Sequence, residues 1–407
     1  MESPYSVTRR WLDRLDPLLA RLAADLELIA PVEVEGDVWF LPVRDAAAIC
    51  LDYVNTLVPP KEHLLPTPER LVAYRVEKGA VTVEDEPAPP RERVIFGIRS
   101  CDVAGTSYLE RWFSGAVFGR ADQDEPFHLR REATTLISVV CQHPGPTCMC
   151  VCCKGGPALD GGFDWQLTEL EDGWLVEIGS PRGARLAERY AAFLKEPPAS
   201  AAGEKAGRVR AAVARFAEAS PHRVPTMAAA RMVSTGRLPT DFWRNLGDRC
   251  FECGGCAFVC PTCWCFNVAD IAEPGEAPFP ADGDGPDPWV PGGVSDATWD
   301  GRWERVRLRD NCQLAGFVRE AGGGYPRSTC GERCLTRFFH KLSQQFQERM
   351  GAPGCTGCGR CIVTCLGERG IDRVAEGMRD ALTGPGRASG APLQPAMPAE
   401  ARAWDPT

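Results

Sequence analysis

Six cysteines stand between positions 250 and 265 of this 407-residue chain, in the run CFECGGCAFVCPTCWC. Thiols this dense can serve disulfides, zinc or iron–sulfur clusters. The chain holds 20 cysteines in all. A disulfide framework is typical of short secreted proteins, and this chain is long, with an N-terminus that has no apolar signal core. Metal or cluster binding is therefore the leading interpretation.

The spacing inside the run is informative. Its first four cysteines follow the C-x2-C-x2-C-x3-C-P pattern of bacterial ferredoxins, and the same spacing recurs later in CTGCGRCIVTC. In two-cluster proteins the first three cysteines of a motif bind one cluster and the fourth binds the other. The sequence predicts two [4Fe–4S] clusters, one on Cys250, Cys253, Cys256 and Cys365, and the other on Cys355, Cys358, Cys361 and Cys260.

Zinc is the alternative reading of the two motifs. Zinc sites usually pair two cysteines with a second, separated pair, which makes four ligands. A close trio followed by a fourth cysteine, present twice, does not fit that pattern. Crossed ligation also requires two distant motifs to meet in space. Because helical segments flank the motifs, we expect a helical two-cluster domain instead of a compact β-ferredoxin.

The N-terminal half offers a further group of cysteines. Two β-favouring runs, RVIFGIRS and TTLISVVC, end at Cys101 and Cys141, and α/β sheets usually place ligands at the carboxyl ends of their strands. A third run, GWLVEIGS, also predicts a strand. The loop after the second run, CQHPGPTCMCVCC, adds Cys148 and Cys150 and then two more cysteines. On the residues alone, this group could hold a third cluster, bind zinc or consist of buried thiols.

The pattern along the chain predicts an α+β fold in which an N-terminal α/β domain precedes a helical two-cluster ferredoxin-type domain. We expect the first domain over 1–195 and a Pro/Ala/Gly-rich linker over 196–207. The dicluster domain then covers 208–380, with a long loop at 272–297 that is rich in Pro, Gly and Asp. The last residues, 381–407, have the composition of a disordered tail.

Three segments have a helical pattern. Apolar residues from Trp11 to Leu26 recur at the spacing of an amphipathic helix. The stretch PTPERLVAYRV resembles a helix start, with Thr67 as N-cap and Pro68 in the first turn. Residues 333–350 carry Leu and Phe at helical spacing, which is more typical of core packing than of a cofactor surface.

The other cysteines are more typical of packing than of ligation. We expect Cys50 and Cys312 to be buried small side chains. Cys330 and Cys334 should share one helix face without evident partners. Cys263 and Cys265 lie beside the first motif and should pack against the clusters.

Several function classes find no support. The net charge is −9, which gives no electrostatic basis for nucleic-acid binding. No stretch of about 18 apolar residues occurs, so no membrane span is predicted, and we expect a cytoplasmic protein. There is no Walker loop or dinucleotide-binding glycine motif, and the five histidines are scattered. The sequence therefore predicts an electron conductor and no catalytic residue.

Eight segments, in a fixed order between about residue 35 and residue 375, resemble one protein family. They are KEHLLPTPERL, IFGIRSCDVAG, RREATTLISVVC, TCMC, RCFECGGCAFVCPTCWCF, CQLAGFVREAGGGYPR, HKLSQQF and CTGCGRCIVTC. The family is the iron–sulfur β subunit of cytoplasmic sulfhydrogenases, which are NAD(P)-linked [NiFe] hydrogenases. The related A subunit of anaerobic sulfite reductase is similar.

This resemblance implies a function. The subunit would pass electrons through [4Fe–4S] clusters between a flavoprotein subunit that oxidises NAD(P)H and the catalytic subunit of a hydrogenase or a sulfite reductase. The family pattern implies a third cluster at Cys101, Cys141, Cys148 and Cys150. The chain departs from the pattern at Leu366, which replaces a proline, in the inserted loop at 272–297, and in four additional cysteines, namely Cys152, Cys153, Cys330 and Cys334.

Two other functions compete with electron transfer. The chain could be an enzyme in its own right, with an iron of the N-terminal cluster open to a sulfur substrate. It could also be a zinc-stabilised scaffold, which a colourless, zinc-loaded protein would support.

Overall fold

The computed structural model describes residues 5–85, 88–119, 123–219, 226–272 and 300–383. Within these ranges, none of the helices has both the length and the apolar character needed to cross a membrane.

The described residues form eleven strands and twelve α-helices. The strands are β1 (Thr8–Leu12), β2 (Glu27–Val34), β3 (Asp37–Val43), β4 (Glu69–Glu77), β5 (Ala80–Asp85), β6 (Arg93–Ile98), β7 (Thr134–Val139), β8 (Trp165–Glu169), β9 (Trp174–Ile178), β10 (Phe266–Ala272) and β11 (Gly301–Arg309). The helices are α1 (Leu15–Asp25), α2 (Ser100–Phe113), α3 (Glu125–Glu132), α4 (Pro181–Arg189), α5 (Ala201–Ala219), α6 (Thr226–Ser234), α7 (Thr240–Asp248), α8 (Gly255–Phe258), α9 (Cys330–Leu342), α10 (Gln344–Met350), α11 (Arg360–Val363) and α12 (Ile371–Thr383).

The larger of two compact units contains the chain up to Leu64, Arg91–Trp264 and the residues from Asn311 onwards. Its seven-stranded sheet has the order β1-β9-β8-β7-β6-β2-β3. The four central strands β2, β6, β7 and β8 are parallel, and the outer pairings are antiparallel. The apolar runs RVIFGIRS, TTLISVVC and GWLVEIGS form β6, β7 and β9, as predicted. Because β6 and β7 are parallel neighbours, the residues that follow them emerge at one edge of the sheet.

The helical part of this unit has its own core. Helices α6, α7, α9 and α12 contribute Met232, Trp243, Phe338 and Val374 to one buried cluster. The predicted helix over 333–350 is two helices, because Ser343 between α9 and α10 adopts extended backbone and accepts a hydrogen bond from Phe346 N through its hydroxyl. The prediction that this segment packs into the core is confirmed, since Leu335, Phe338 and Leu342 are buried.

The smaller unit comprises Leu65–Pro90 and Cys265–Asp310. It is a four-stranded antiparallel sheet with the order β10-β11-β4-β5. The predicted helix in PTPERLVAYRV is wrong, because this segment is β4. Its residues Val72, Tyr74 and Val76 favour a pleated surface, and pairing with β11 and β5 outweighs the helix-start signal at Thr67.

Two other expectations change. The N-terminal helix begins at Leu15, and Trp11 and Leu12 belong to β1 instead. Residues 201–207, expected to lie in a linker, form the first turns of α5, whose alanines favour a helix.

The loop expected at 272–297 lies outside the described residues except for Ala272, and so does the tail beyond Thr383. The α+β fold class is confirmed, although the sheet inside the expected helical domain was not predicted.

Candidate iron–sulfur centres

The two ferredoxin motifs share one backbone geometry. In each, the second cysteine lies between two residues of left-handed backbone, Glu252 and Gly254 in the first motif and Gly357 and Gly359 in the second. Gly254 and Gly359 then precede the one-turn helices α8 and α11, which carry the third cysteine. The similar spacing therefore produces similar loops, as two sites of the same type require.

Cys260, the fourth cysteine of the first motif, lies beside the second motif. Burial raises the pKa of the Cys358 and Cys361 thiols, and the negative charge of a Cys260 thiolate raises both further. Cys260 acts in the same direction on Cys355, although a hydrogen bond from Cys153 lowers the pKa of Cys355 below its ordinary value. Thr262, two residues after Cys260, donates through its hydroxyl to Gly354 O at 2.6 Å, directly before Cys355. The structure therefore brings Cys260 to the second motif.

The structure brings together fewer of the predicted ligands of the other cluster, which are Cys250, Cys253, Cys256 and Cys365. Burial raises the pKa of Cys256 to about 12, and the thiolates of Cys361, Cys312 and Cys365 contribute to the rise. Cys365 accepts a hydrogen bond from Arg369 N at 3.1 Å, and the Arg369 guanidinium interacts with the charges of both Cys250 and Cys365. Cys253 is the member of this set that is exposed to solvent.

Two thiols that sequence reasoning left without partners lie at the same site. Cys330 and Cys334 project from α9 towards Cys250, and the Cys330 Sγ lies 3.2 Å from Glu252 Oε1. A hydrogen bond with Cys334 is the main reason that the pKa of Cys250 falls to about 6. Their i,i+4 spacing was visible in the sequence, but nothing in it pointed to Cys250. Cys312 is buried as expected, whereas Cys50 is only half-buried.

The N-terminal cysteines form a third group. Cys101 lies in the first turn of α2, and the loop after β7 carries Cys141, Cys148 and Cys150. Burial raises the pKa of Cys150 to about 12, with further increases from the Cys148 and Cys141 thiolates. Burial also raises the pKa of Cys101, and Asp102, Cys358 and Cys150 add to that rise. Cys101 therefore lies close to both its own group and the second motif.

The loop that carries this third group packs directly on the second motif. Met149 N donates a hydrogen bond to Gly357 O at 2.7 Å. A Cβ atom at Gly357 would lie 2.3 Å from the carbonyl carbon of Met149, so the approach requires glycine. The additional thiol of Cys153 is 3.9 Å from the Cys355 Sγ. Cys153 thus contacts the second motif, while Cys152 is half-buried.

Buried positive charge surrounds these thiols. Lys61, Arg337, Lys341 and Arg360 are each 3–4% exposed. Asp102 pairs with Arg360, but no described carboxylate pairs with Arg337 or Lys341, and the Arg337 Nε has no hydrogen-bond partner within the described part of the chain. An uncompensated buried cation is strongly destabilising. Clusters held by four thiolates carry net negative charge, so the surroundings fit iron–sulfur clusters.

Within the described ranges, no three His, Cys, Asp or Glu side chains are arranged to hold a single metal ion.

Comparisons with known proteins agree with this chemistry. A family model for a 4Fe-4S dicluster domain matches residues 249–278 and 293–369. Sulfhydrogenase 2 subunit beta of Pyrococcus furiosus is 26% identical over 354 residues, which are 86% of this chain and 92% of that protein. No solved structure matches significantly. These matches confirm the resemblance to an iron–sulfur β subunit and support an iron–sulfur electron-transfer subunit that binds [4Fe–4S] clusters.

Proposed function

We propose that this chain relays electrons through three [4Fe–4S] clusters between a flavoprotein subunit that oxidises NAD(P)H and the separate catalytic subunit of a [NiFe] hydrogenase. The observation that carries the proposal is that the three cysteine groups adjoin one another in the larger unit. The relative's name, sulfhydrogenase 2 subunit beta, supports a place in a multi-subunit hydrogenase. We place the complex in the cytoplasm, where thiols stay reduced.

The proposed ligands follow from the motifs and from the contacts above. We name the three clusters by position: an outer cluster, an inner cluster and an N-terminal cluster. The outer cluster takes Cys250, Cys253, Cys256 and Cys365, the inner cluster takes Cys355, Cys358, Cys361 and Cys260, and the N-terminal cluster takes Cys101, Cys141, Cys148 and Cys150.

The contacts between groups support an order for the relay. The loop that carries Cys148 and Cys150 packs on the second motif, because Met149 N donates to Gly357 O at 2.7 Å. Helix α8, which carries Cys256 of the outer group, contacts α11, which carries Cys361 of the inner group. These contacts support an inner cluster between the other two, with electrons entering and leaving at the N-terminal and outer clusters. When bound, each cluster supplies a one-electron carrier.

The surrounding residues hold the ligand loops and tune the sulfur atoms. Lys61 Nζ donates to the carbonyl oxygens of Cys260 at 2.6 Å and Cys263 at 3.0 Å. Asn55 Nδ2 donates to Cys358 O at 2.6 Å. Gly357 N donates to the Cys355 Sγ at 3.4 Å. Hydrogen bonds to ligand sulfur are one of the means by which proteins set cluster potentials.

The test is the content of iron and acid-labile sulfide in the anaerobically purified chain, with low-temperature EPR of the reduced protein. We expect about twelve irons per chain, from three four-iron clusters. The variant Cys148→Ser should fall to about eight, while Cys50→Ser, a matched change outside the proposed ligands, should retain about twelve. Eight irons in the unaltered chain would remove the N-terminal cluster, and zinc in place of iron would overturn the proposal.

One observation favours a second candidate function, an enzyme acting on a sulfur compound at the N-terminal cluster. A cavity of about 420 Å³ opens beside Cys141, and its lining includes Arg99, His143 and Arg208. Turnover of sulfite by the isolated chain, with reduced viologen as electron donor, would support this candidate. Without turnover, and with no change in the EPR spectrum on adding sulfite, the cavity has no part in such a reaction.

A further inference from the structure

Helix α9 carries two cations one turn apart, Arg337 and Lys341, on the side that faces the ferredoxin motifs. Each side chain is 3% exposed. Arg337 Nη2 donates to Cys256 O at 3.3 Å, and its guanidinium carbon lies 4.7 Å from the ring centre of Phe338. Lys341 Nζ donates to Thr262 Oγ1 at 2.7 Å and lies 5.4 Å from the ring centre of Trp264. Both charges are therefore fixed in place by packing and hydrogen bonds.

These two cations differ from Arg333 and Arg360, two other buried cations in the same unit. Arg360 pairs with the carboxylate of Asp102, and Arg333 pairs with Glu252 at 2.7 Å. Among the described residues, no carboxylate pairs with Arg337 or Lys341. A charge kept in a protein interior without a partner costs several kcal/mol. The buried positive charges of Arg337 and Lys341 therefore indicate that a bound group supplies the negative charge that compensates them.

The nearest thiols identify that group. Burial alone would lower the pKa of Lys341, yet the thiolates of Cys260 and Cys263 hold it above its ordinary value. Thr262 connects Lys341 to the site, because its Oγ1 also lies 3.3 Å from the Cys260 Sγ. Arg337 interacts with Cys260 and Cys263 too, but more strongly with Cys256 and Cys361. Lys341 therefore belongs to the inner cluster, while Arg337 stands between the inner and outer clusters.

We propose that Lys341 raises the reduction potential of the inner cluster, by stabilising the charge of its reduced state. The inference rests on the ligand assignment proposed above. One electron from a one-electron donor takes a four-thiolate [4Fe–4S] group from a net charge of −2 to −3, with no bond broken and no proton taken up. A fixed buried cation interacts more strongly with the −3 state than with the −2 state.

The neighbourhood of the outer cluster is different. Cys253 is exposed to solvent, and the carboxylates of Glu252 and Glu368 lie in the same segments as its ligands. Solvent screens charges there, so Lys341 should have little influence on the outer cluster. Loss of the Lys341 charge should consequently lower the reduction potential of the inner cluster and leave that of the outer cluster unchanged.

The test is an EPR-monitored reductive titration of the full chain with dithionite, comparing Lys341→Met with Lys341→Arg. The inner-cluster signal is identified as the one removed by Cys358→Ser. We expect Lys341→Met to move the midpoint of that signal to more negative potential, at unchanged iron content, and Lys341→Arg to restore it. Lys195→Met, at an exposed lysine that pairs with Asp13, is the control and should move no signal.

The outcomes separate the inference from the proposed function. If Lys341→Met holds its iron and its inner-cluster midpoint is unchanged, the inference is wrong while the ligand assignment stands. If the unaltered chain lacks the inner cluster, the proposed function is wrong, and the inference about Lys341 fails with it. If Lys341→Met loses iron, Lys341→Gln keeps a donor to Thr262 without the charge and carries the same measurement; an unchanged midpoint there would equally overturn the inference.

Discussion

At the scale of single residues, one buried ion pair links two of the proposed sites. Asp102 follows Cys101 in α2, and Arg360 follows Gly359 in the second motif. Arg360 Nη2 donates to Asp102 Oδ2 at 2.8 Å, and both side chains are almost fully buried. The same guanidinium donates to the hydroxyl of Thr56 at 3.1 Å. The pair therefore fastens the second motif to the N-terminal sheet domain within the larger unit.

Asp102→Asn should destabilise the protein by about 3–5 kcal/mol, because it removes the carboxylate that pairs with the buried Arg360 guanidinium. Anaerobic urea unfolding followed by circular dichroism measures the loss. Asp241→Asn is the matched control, since Asp241 pairs with Arg244 at 2.7 Å in an exposed position and should cost at most about 1 kcal/mol. Equal losses in the two variants would contradict the prediction.

His340 predicts a dependence of stability on pH. Its ring lies 4.5 Å from Phe346 and 5.3 Å from Trp264. Burial, with help from the charges of Lys341 and Arg327, lowers the pKa of His340 to about 3. An unfolded histidine titrates near its ordinary value of about 6.5. Below that pH the unfolded state binds the proton and the folded state does not, so stability falls as the pH falls.

The expected contribution is a loss approaching about 1.4 kcal/mol per pH unit below pH 6.5. His340→Phe should flatten the dependence between pH 7.5 and pH 5.5, measured as the free energy of unfolding at several pH values. His143→Phe, at an exposed histidine, should keep the slope of the unaltered chain. A slope that is equal in all three proteins would show that His340 takes up its proton at the same pH in the folded and the unfolded state.

At the scale of elements, helix α9 shows how a sequence pattern can mislead. A capping box of Thr329 and Glu332 begins the helix. Its cations Arg337 and Lys341 would normally indicate a solvated face, yet both are buried against the motif loops. Cys330 and Cys334 on the same helix approach Cys250. One element thus supplies both charge and thiols to sites whose ligands lie elsewhere in the chain.

The loop of the second motif depends on Gly357. Its φ is +70°, and a Cβ there would lie 2.3 Å from Met149. Gly357→Ala should therefore displace the loop and lower the iron content from about twelve towards about eight per chain, as the inner cluster is lost. Gly203→Ala in α5 is the control, because a Cβ there meets nothing within 4 Å.

The control should retain its iron and gain up to about 1 kcal/mol of stability, since alanine favours a helix interior. Iron analysis and thermal unfolding of the two variants measure both effects. Full iron content in Gly357→Ala would show that the loop tolerates the side chain.

At the scale of the whole molecule, clusters and fold should stabilise each other. Removal of iron by a chelator takes away the negative charge of the clusters beside Arg337 and Lys341 and leaves only the cysteine side chains of the emptied sites next to them. We expect the cluster-free chain to lose up to about 3–5 kcal/mol for each of the two cations, measured by urea unfolding. Reconstitution with iron and sulfide should restore the stability.

A variant tests the physical cause. Lys341→Met removes one of the two charges, so its cluster-free form should be more stable than the cluster-free form of the unaltered chain. A smaller stability in the variant would indicate that Lys341 is compensated without a cluster.

The spacing of the cysteines determined the cofactor class by itself, because three thiols at short intervals form a local pattern that iron–sulfur clusters require. Local runs of β-favouring residues likewise determined β6, β7 and β9. Only the tertiary structure decided that PTPERLVAYRV is a strand, since its pairing partner β11 is distant in sequence. The meeting of Cys330 and Cys334 with Cys250, and the burial of Lys341, also depend on long-range packing, which residue spacing does not encode.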